Sequence, residues 1–277
     1  MAAQVSLDRA IPSHIGGCSR RYAMSNLNLQ RAGDAEINVT QLRNACSSCS
    51  LRELCLPAGL DRPELDRIDV LVNRKRPLIE RGDYLYRAGT PLRSLFAVRS
   101  GFVKSCVLDE HGREQVTGFH MMGELVGMDA IATGKHVSDA VALEDTDVCE
   151  IPFDQLEQLS GKIPALQHHF HRIMSREIAR DYGVMLLLGS MRAEERLAAF
   201  LLNLSQRFAA RGYSPTRFNL RMTRHEIGSY LGLKLETVSR AFSHLREEGM
   251  ISVQSRSIEL KNIDKLRALM GQPAEQR

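Results

Sequence analysis

Met222-Thr-Arg-His-Glu-Ile-Gly-Ser-Tyr-Leu-Gly-Leu-Lys-Leu-Glu-Thr-Val-Ser-Arg-Ala-Phe-Ser-His-Leu-Arg246 reads as two helices parted by a tight turn at Gly232. Thr223 and Glu226 supply the T-x-x-E of a capping box, which fixes where the first helix starts. At about 100° per residue, Val238, Ala241, Phe242 and Leu245 of the second helix fall on one side and Glu236, Ser239, Arg240 and Ser243 on the other. The first face is built for a core. The second offers what base edges in a major groove match: arginine for guanine, glutamate for the cytosine amine, serine for either. Glu236 and Arg240 also stand at the spacing of a surface ion pair, the plainer reading on an isolated helix. Here the stretch Met250-Ile-Ser-Val-Gln-Ser-Arg-Ser-Ile-Glu-Leu260 follows as a β-hairpin, so the unit reads as a winged helix-turn-helix for double-stranded DNA. Arg221, Arg224, Lys234, Arg246 and Arg256 are candidate phosphate contacts.

Upstream, residues 164–190 hold no interior proline and only Gly183 as a weak point before the end, which predicts one long helix. On a seam of about 3.5 residues, Met174, Ile178, Asp181, Met185 and Leu188 line up, the pattern of a helix that packs on a parallel copy. A homodimer is expected; the alternative is a stripe that packs on its own β domain. Two-fold symmetry would bring two Asp181 carboxylates together, and their repulsion would keep the dimer marginal unless Asp181 faces solvent. His168, His169 and His171 splay over different helical faces and are expected to be solvated rather than to bind metal.

Between residues 78 and 152, short β-type runs alternate with turn signals: Tyr84-Leu-Tyr, Ser94-Leu-Phe-Ala-Val, Phe102-Val-Lys-Ser-Cys-Val-Leu, Gln115-Val-Thr-Gly-Phe and Val148-Cys-Glu-Ile. Strands this short and evenly spaced predict a compact β sandwich or barrel. The first 40 residues lack periodicity and read as a mobile arm, in which Cys18 has no assigned role.

A chain of 277 residues has room for two domains at roughly 100–200 residues each. With 43% hydrophobic and 25% charged residues, most of it should fold. Lys and Arg exceed Asp and Glu by only 37 to 33, too little to establish a nucleic-acid partner without the local pattern above. The start has no apolar signal-peptide core, and the apolar runs at 184–188 and 197–202 fall far short of a membrane span, so a cytoplasmic location is expected. In that reducing compartment clustered cysteines are metal ligands or redox groups more often than disulfides.

Cys46, Cys49 and Cys55 crowd ten residues, and Cys149 lies far downstream. Thiolates at C-x2-C-x5-C spacing can close around one iron–sulfur cube when a fourth folds in from elsewhere. Joined to a DNA-reading unit, this describes a transcription factor governed by a metal centre. Zinc also takes sites of four thiolates, and spacing does not separate the two.

A β domain, a long helix and a winged helix-turn-helix, in that order, resemble the cyclic AMP receptor protein and fumarate–nitrate reduction regulator (CRP/FNR) family, over residues of about 40 to 262. The FNR branch is matched at Cys46-Ser-Ser-Cys49, Leu54-Cys-Leu-Pro57, Gln115-Val-Thr-Gly-Phe-His120, Gly123-Glu-Leu-Val-Gly127, Cys149-Glu-Ile-Pro152, Ala193-Glu-Glu-Arg-Leu197 and Glu236-Thr-Val-Ser-Arg240. The resemblance implies an α+β chain divided as follows: an arm (1–40), a cysteine-rich loop with a β-roll or jelly-roll sensor domain (41–163), a dimerisation helix (164–191), a winged helix-turn-helix domain (192–265) and a tail (266–277). It implies one 4Fe–4S cluster per subunit on Cys46, Cys49, Cys55 and Cys149, assembled without oxygen and degraded to 2Fe–2S when oxygen arrives. Cluster loss would return the dimer to inactive monomers. Glu236, Ser239 and Arg240 match the residues that read TTGAT-like half-sites in an inverted repeat. The bound dimer would contact RNA polymerase, activating promoters of anaerobic metabolism and repressing others. Cys106 and Cys18 depart from the pattern and are not needed as ligands.

Two rival functions compete with this one. A small-molecule sensor on the same fold is disfavoured because the Arg-Ser pair that holds the cyclic phosphate in nucleotide-binding relatives is absent from the corresponding Lys135-His-Val-Ser-Asp139. An iron–sulfur electron carrier or enzyme has no use for a coherent reading face, and the sequence holds neither a Walker A loop nor a dinucleotide fingerprint. No catalytic role is expected.

Overall fold

The computed structural model describes residues 46–72 and 78–271. The expected arm and Cys18 lie outside them.

Two short 3-10 turns, Cys46–Ser48 and Arg52–Leu54, open the described chain. Helix α1 (Arg62–Val72), which no sequence pattern above predicts, buries Leu65, Ile68, Leu71 and Val72 on one stripe. Strands β1 (Tyr84–Tyr86), β2 (Ser94–Ser100), β3 (Phe102–Leu108), β4 (Glu114–Met121), β5 (Leu125–Val126), β6 (Asp139–Ala142) and β7 (Asp147–Pro152) then form two antiparallel sheets, ordered β1-β6-β3-β4 and β5-β2-β7. All five expected strand runs are present; β5 and β6 are additional.

Strand β2 is buried from Ser94 to Val98 without alternation because each of its faces meets a different core. Phe96 and Val98 pack with Val103, Val126 and Ala140 between the sheets. Leu95 and Ala97 pack outward with Leu56, Ile68, Ile151 and Leu166. That outward core seats the cysteine-bearing turns.

Helix α2 (Phe153–Ser160) leads into α3 (Pro164–Ser190), whose bounds are those expected from the unbroken stretch. Proline at the first helical position costs nothing there, since that N–H has no intrahelical partner. Only Leu166, His169, Phe170 and Ile173 of α3 are buried. His168 and His171 are exposed as expected, whereas His169 is not solvated: it sits in the buried stripe because its ring nitrogen meets a backbone carbonyl.

The C-terminal part comprises α4 (Ala193–Ala209), β8 (Arg217–Asn219), α5 (Arg224–Leu231), α6 (Leu235–Glu247), β9 (Ile251–Gln254), β10 (Ser257–Leu260) and α7 (Ile263–Leu269). The expected hairpin is β9–β10, widened by β8 into a three-stranded sheet. Helix α7 runs across the boundary expected at residue 265 because Leu266 is fully buried in the domain core.

The β-roll and the C-terminal part share that core: Phe102, Cys106, Val116 and Phe119 pack with Leu197, Phe200 and Leu204. Polar contacts reinforce the junction. Lys104 of β3, buried, pairs with Glu114 of β4 at 2.7 Å and with Glu226 of α5 at 3.1 Å. Burial disfavours its charge, but the two carboxylates prevail and raise its pKa. Ser229 of α5 donates to the Glu114 carbonyl at 3.0 Å and accepts from the Val116 N–H at 2.8 Å.

Candidate cofactor centre and nucleic-acid interface

Cys46, Cys49, Cys55 and Cys149, the last far downstream of the first three, line one pocket together with Leu56, Ile68, Ala97 and Ile151. Cys46 lies in the first 3-10 turn, where Asp69 of α1 accepts its N–H and, at 3.3 Å, that of Ser47. The Cys49 N–H returns to the Cys46 carbonyl at 3.2 Å, and the Cys55 N–H to that of Leu51 at 3.1 Å. Cys149 is fixed differently, by β7 pairing with Ala97 of β2.

The pocket is hostile to thiolates on their own. Burial pushes the Cys55 thiol up to about 12 and the Cys149 thiol up to about 11, against an ordinary value of 9.0. Cys46 is raised further, by burial first and then by Cys55, Cys149, Asp69 and Cys49. Four soft donors gathered in a pocket where burial and neighbouring thiols oppose the ionisation of Cys46, Cys55 and Cys149 fit a polycationic metal centre, whose charge would remove that penalty. Among the described residues no three His, Cys, Asp or Glu side chains converge tightly enough for a single metal ion. Cys106 belongs elsewhere: it is buried opposite Val116 in the shared core, its thiol raised to about 12 chiefly by burial.

The capping box forms as expected. Thr223 Oγ1 accepts from the Glu226 N–H at 3.2 Å, and the Glu226 carboxylate accepts from the Thr223 N–H at 2.7 Å. Gly232 turns the chain at φ 63°, and a Cβ on Gly228 would stand 2.6 Å from the Leu233 carbonyl, so only glycine permits this approach of turn to helix. Val238, Ala241, Phe242 and Leu245 are buried. Glu236 and Arg240 are exposed and Ser239 half-exposed. Among the described ion pairs none joins Glu236 to Arg240. Of the candidate phosphate contacts, Arg221 is paired with Glu144 of the β-roll at 3.1 Å, and Arg224 lies over the Phe242 ring at 4.9 Å.

Comparison with known proteins locates this arrangement. Residues 195–269 match the Crp-like helix-turn-helix domain, and residues 78–162 the cyclic nucleotide-binding domain. The fumarate nitrate reduction regulatory protein of Klebsiella oxytoca is 51% identical over 227 residues, covering 82% of this chain and 90% of that protein. The fumarate and nitrate reduction regulatory protein of Escherichia coli K12 is 50% identical over 226 residues, with the same coverage. Among solved structures, FixK2 from Bradyrhizobium japonicum superposes with a TM-score of 0.64 at 32% identity, covering 73% of this chain and 98% of its own.

The chain belongs to the CRP/FNR family of transcription regulators.

Within this family it is a DNA-binding regulator rather than an enzyme, and no helix among its described residues is long and apolar enough to cross a membrane. In its cyclic nucleotide-binding fold one carboxylate gathers two adjacent backbone N–H groups. Asp129 accepts from the Val137 N–H at 2.9 Å, the Ser138 N–H at 3.1 Å and the Ser138 hydroxyl at 3.0 Å, with His136 Nδ1 at 3.1 Å. Neighbouring backbone N–H groups of this kind form an anion cradle, and here the protein fills it. Glu124, of the Gly123-Glu-Leu125 stretch, is likewise occupied: Arg207 of α4 and Arg211 in the turn just past its end reach it at 2.6 and 2.7 Å, and Arg180 of α3 at 3.7 Å.

Sequence reasoning does not single out Asp129 or Glu124 as site residues. The available signal for Glu124 is Arg207 and Arg211, four residues apart at the end of a helix whose other side is apolar. Among the seam residues, Ile178 and Met185 are 52% and 57% exposed, Asp181 and Leu188 are exposed, and Met174 is half-buried. Tyr182 and Leu186 add to that apolar surface.

Proposed function

We propose that this chain is a cytoplasmic, oxygen-responsive regulator that holds one 4Fe–4S cluster per subunit on Cys46, Cys49, Cys55 and Cys149. The observation that carries the reading is the convergence of these four thiols, and no others among the described residues, on one largely apolar pocket. When bound, such a cluster supplies four iron–thiolate bonds that oxygen can break. Cys46, Cys49 and Cys55 would bind it from the turns and Cys149 from β7, with Asp69 fixing the Cys46 peptide.

The same reading assigns the exposed seam of α3 to a homodimer, in which Met174, Ile178, Asp181, Met185 and Leu188 face their copies. It assigns Glu236, Ser239 and Arg240 to TTGAT-like half-sites in an inverted repeat, with RNA polymerase as the further partner. Residues 41–163 sense, 164–191 dimerise and 192–265, extended by α7, bind DNA. A regulator of this fold that senses a cyclic nucleotide is disfavoured by the missing Arg-Ser pair in Lys135-His-Val-Ser-Asp139 and by Asp129, whose carboxylate takes up the Val137 and Ser138 N–H groups. Zinc is separated from the cluster by colour.

The test is the visible spectrum of anaerobically purified protein followed into air, with binding to an inverted TTGAT repeat measured on the same samples. A broad band near about 400 nm that vanishes together with DNA binding supports the oxygen switch. A colourless protein that binds equally with and without air would overturn it and leave the DNA-binding assignment standing.

A further inference from the structure

The buried stripe of α3 consists of Leu166, Phe170, Ile173 and one polar residue, His169, which is 7% exposed. His169 Nε2 lies 3.1 Å from the backbone oxygen of Cys55. A carbonyl only accepts, so the imidazole must donate from Nε2, and the contact fixes its tautomer. Leu56 and Leu60, just beyond Cys55, share a core with the same stripe. Apolar packing therefore already brings loop and helix together. What the hydrogen bond adds is direction: it sets the Cys55 peptide at one height along α3.

The helix carries two faces. At about 100° per residue, the seam of Ile178, Asp181 and Met185 is turned roughly a quarter turn from the buried stripe. The helix Pro164–Ser190 is continuous between them, so the seating of its first half sets the roll of its second.

We propose that His169 is a positioning residue that ties the peptide of Cys55 to α3, so that the geometry adopted by the cysteine pocket is passed to the dimerisation face. This rests on the reading in which Cys55 is a cluster ligand. Cys55 sets where its carbonyl points, the bond to His169 seats the helix accordingly, and the seam meets its copy in register or not.

The experiment compares full-length wild type with His169→Leu, which keeps bulk and removes the donor, and His169→Gln, whose amide restores a donor. Iron and acid-labile sulfide content, visible absorption and dimer dissociation by sedimentation are measured anaerobically and after air. The expected result is a Leu variant that loads the cluster fully but whose loaded form dimerises roughly fivefold to tenfold less tightly, the worth of one hydrogen bond, with Gln within about twofold of wild type. A fully loaded Leu variant that dimerises like wild type overturns the proposal alone. Gln behaving as Leu overturns it too, since packing rather than the bond is then at work. A Leu variant unable to load the cluster while Gln loads normally shows that the bond serves assembly of the pocket and not transmission. Wild type lacking iron and sulfide sinks the cysteine reading and this proposal with it.

Discussion

Arg207 reaches out of the DNA-binding domain and clasps Glu124 of the β-roll with two nitrogens, at 3.0 and 2.6 Å. The carboxylate is 9% exposed, and burial alone would favour its protonated form. Arg207, Arg180 and Arg211 outweigh burial and hold it at about 2, well below the ordinary 4.5. The bond spans the two halves of the molecule, so its protonation is felt by both.

Glu124→Gln leaves three guanidinium groups around a neutral amide, and is expected to cost about 3–5 kcal/mol in urea denaturation. The pH dependence has a definite sign. A carboxylate depressed from 4.5 to about 2 contributes its stability fully above pH 4.5 and loses it as the pH falls toward 2. The stability gap between wild type and the Gln variant should therefore be flat from pH 7 to about 4.5 and narrow by about 3 kcal/mol below that. A gap independent of pH would show that Glu124 is not ionised in the fold.

Serine at Cys46, Cys49, Cys55 or Cys149 is expected to abolish the anaerobic absorption and specific DNA binding while leaving the far-ultraviolet circular dichroism of the monomer unchanged. Cys106→Ser should retain both activities, because that thiol packs in the separate core shared with α4. An absorbing Cys149→Ser protein would remove β7 from the ligand set.

Asp181 is exposed, with its carboxyl raised mainly by partial burial and opposed by Arg180. Facing its copy across the α3 seam, it would repel it. Asp181→Ala should strengthen the dimer formed without cluster by up to roughly 1 kcal/mol, about fivefold, in sedimentation equilibrium. An unchanged dissociation constant places Asp181 toward solvent.

Arg240→Ala removes an exposed guanidinium from the reading face and is expected to cost about 1–3 kcal/mol on a TTGAT repeat, measured at fixed salt. Binding to unrelated DNA should change far less. Equal losses on both sequences would make Arg240 a phosphate contact.

Elements defined by their own residues are legible in the sequence. The bounds of α3 follow from Pro164 and the lack of any break up to Ser190, and the start of α5 from the Thr223–Glu226 reciprocity. The two faces of α6 follow from periodicity alone. Elements defined by neighbours are not legible in this way. The two residues of β5 are a strand only because Phe96 and Ala97 lie beside them, and β6 is short, small-residued and inserted between β1 and β3. His169 reads as solvated because nothing in sequence announces that a carbonyl 114 residues away will face it. The four cysteines are marked by their type and spacing, but their meeting is a product of tertiary structure: Leu56, Ile68, Ala97 and Ile151 bring turn, helix and strand to the same place.

Glu226 caps the first helix of the reading unit with one oxygen while its other meets Lys104 of the β-roll. The regulator is thus no assembly of interchangeable parts. A chimera grafting residues 192–271 onto a foreign β-roll would start α5 with its N-cap intact yet strip Glu226 of its buried counter-charge and Ser229 of its strand partner. Engineers seeking a new input for this reading head must transplant Lys104, Glu114 and the edge of β4 along with it.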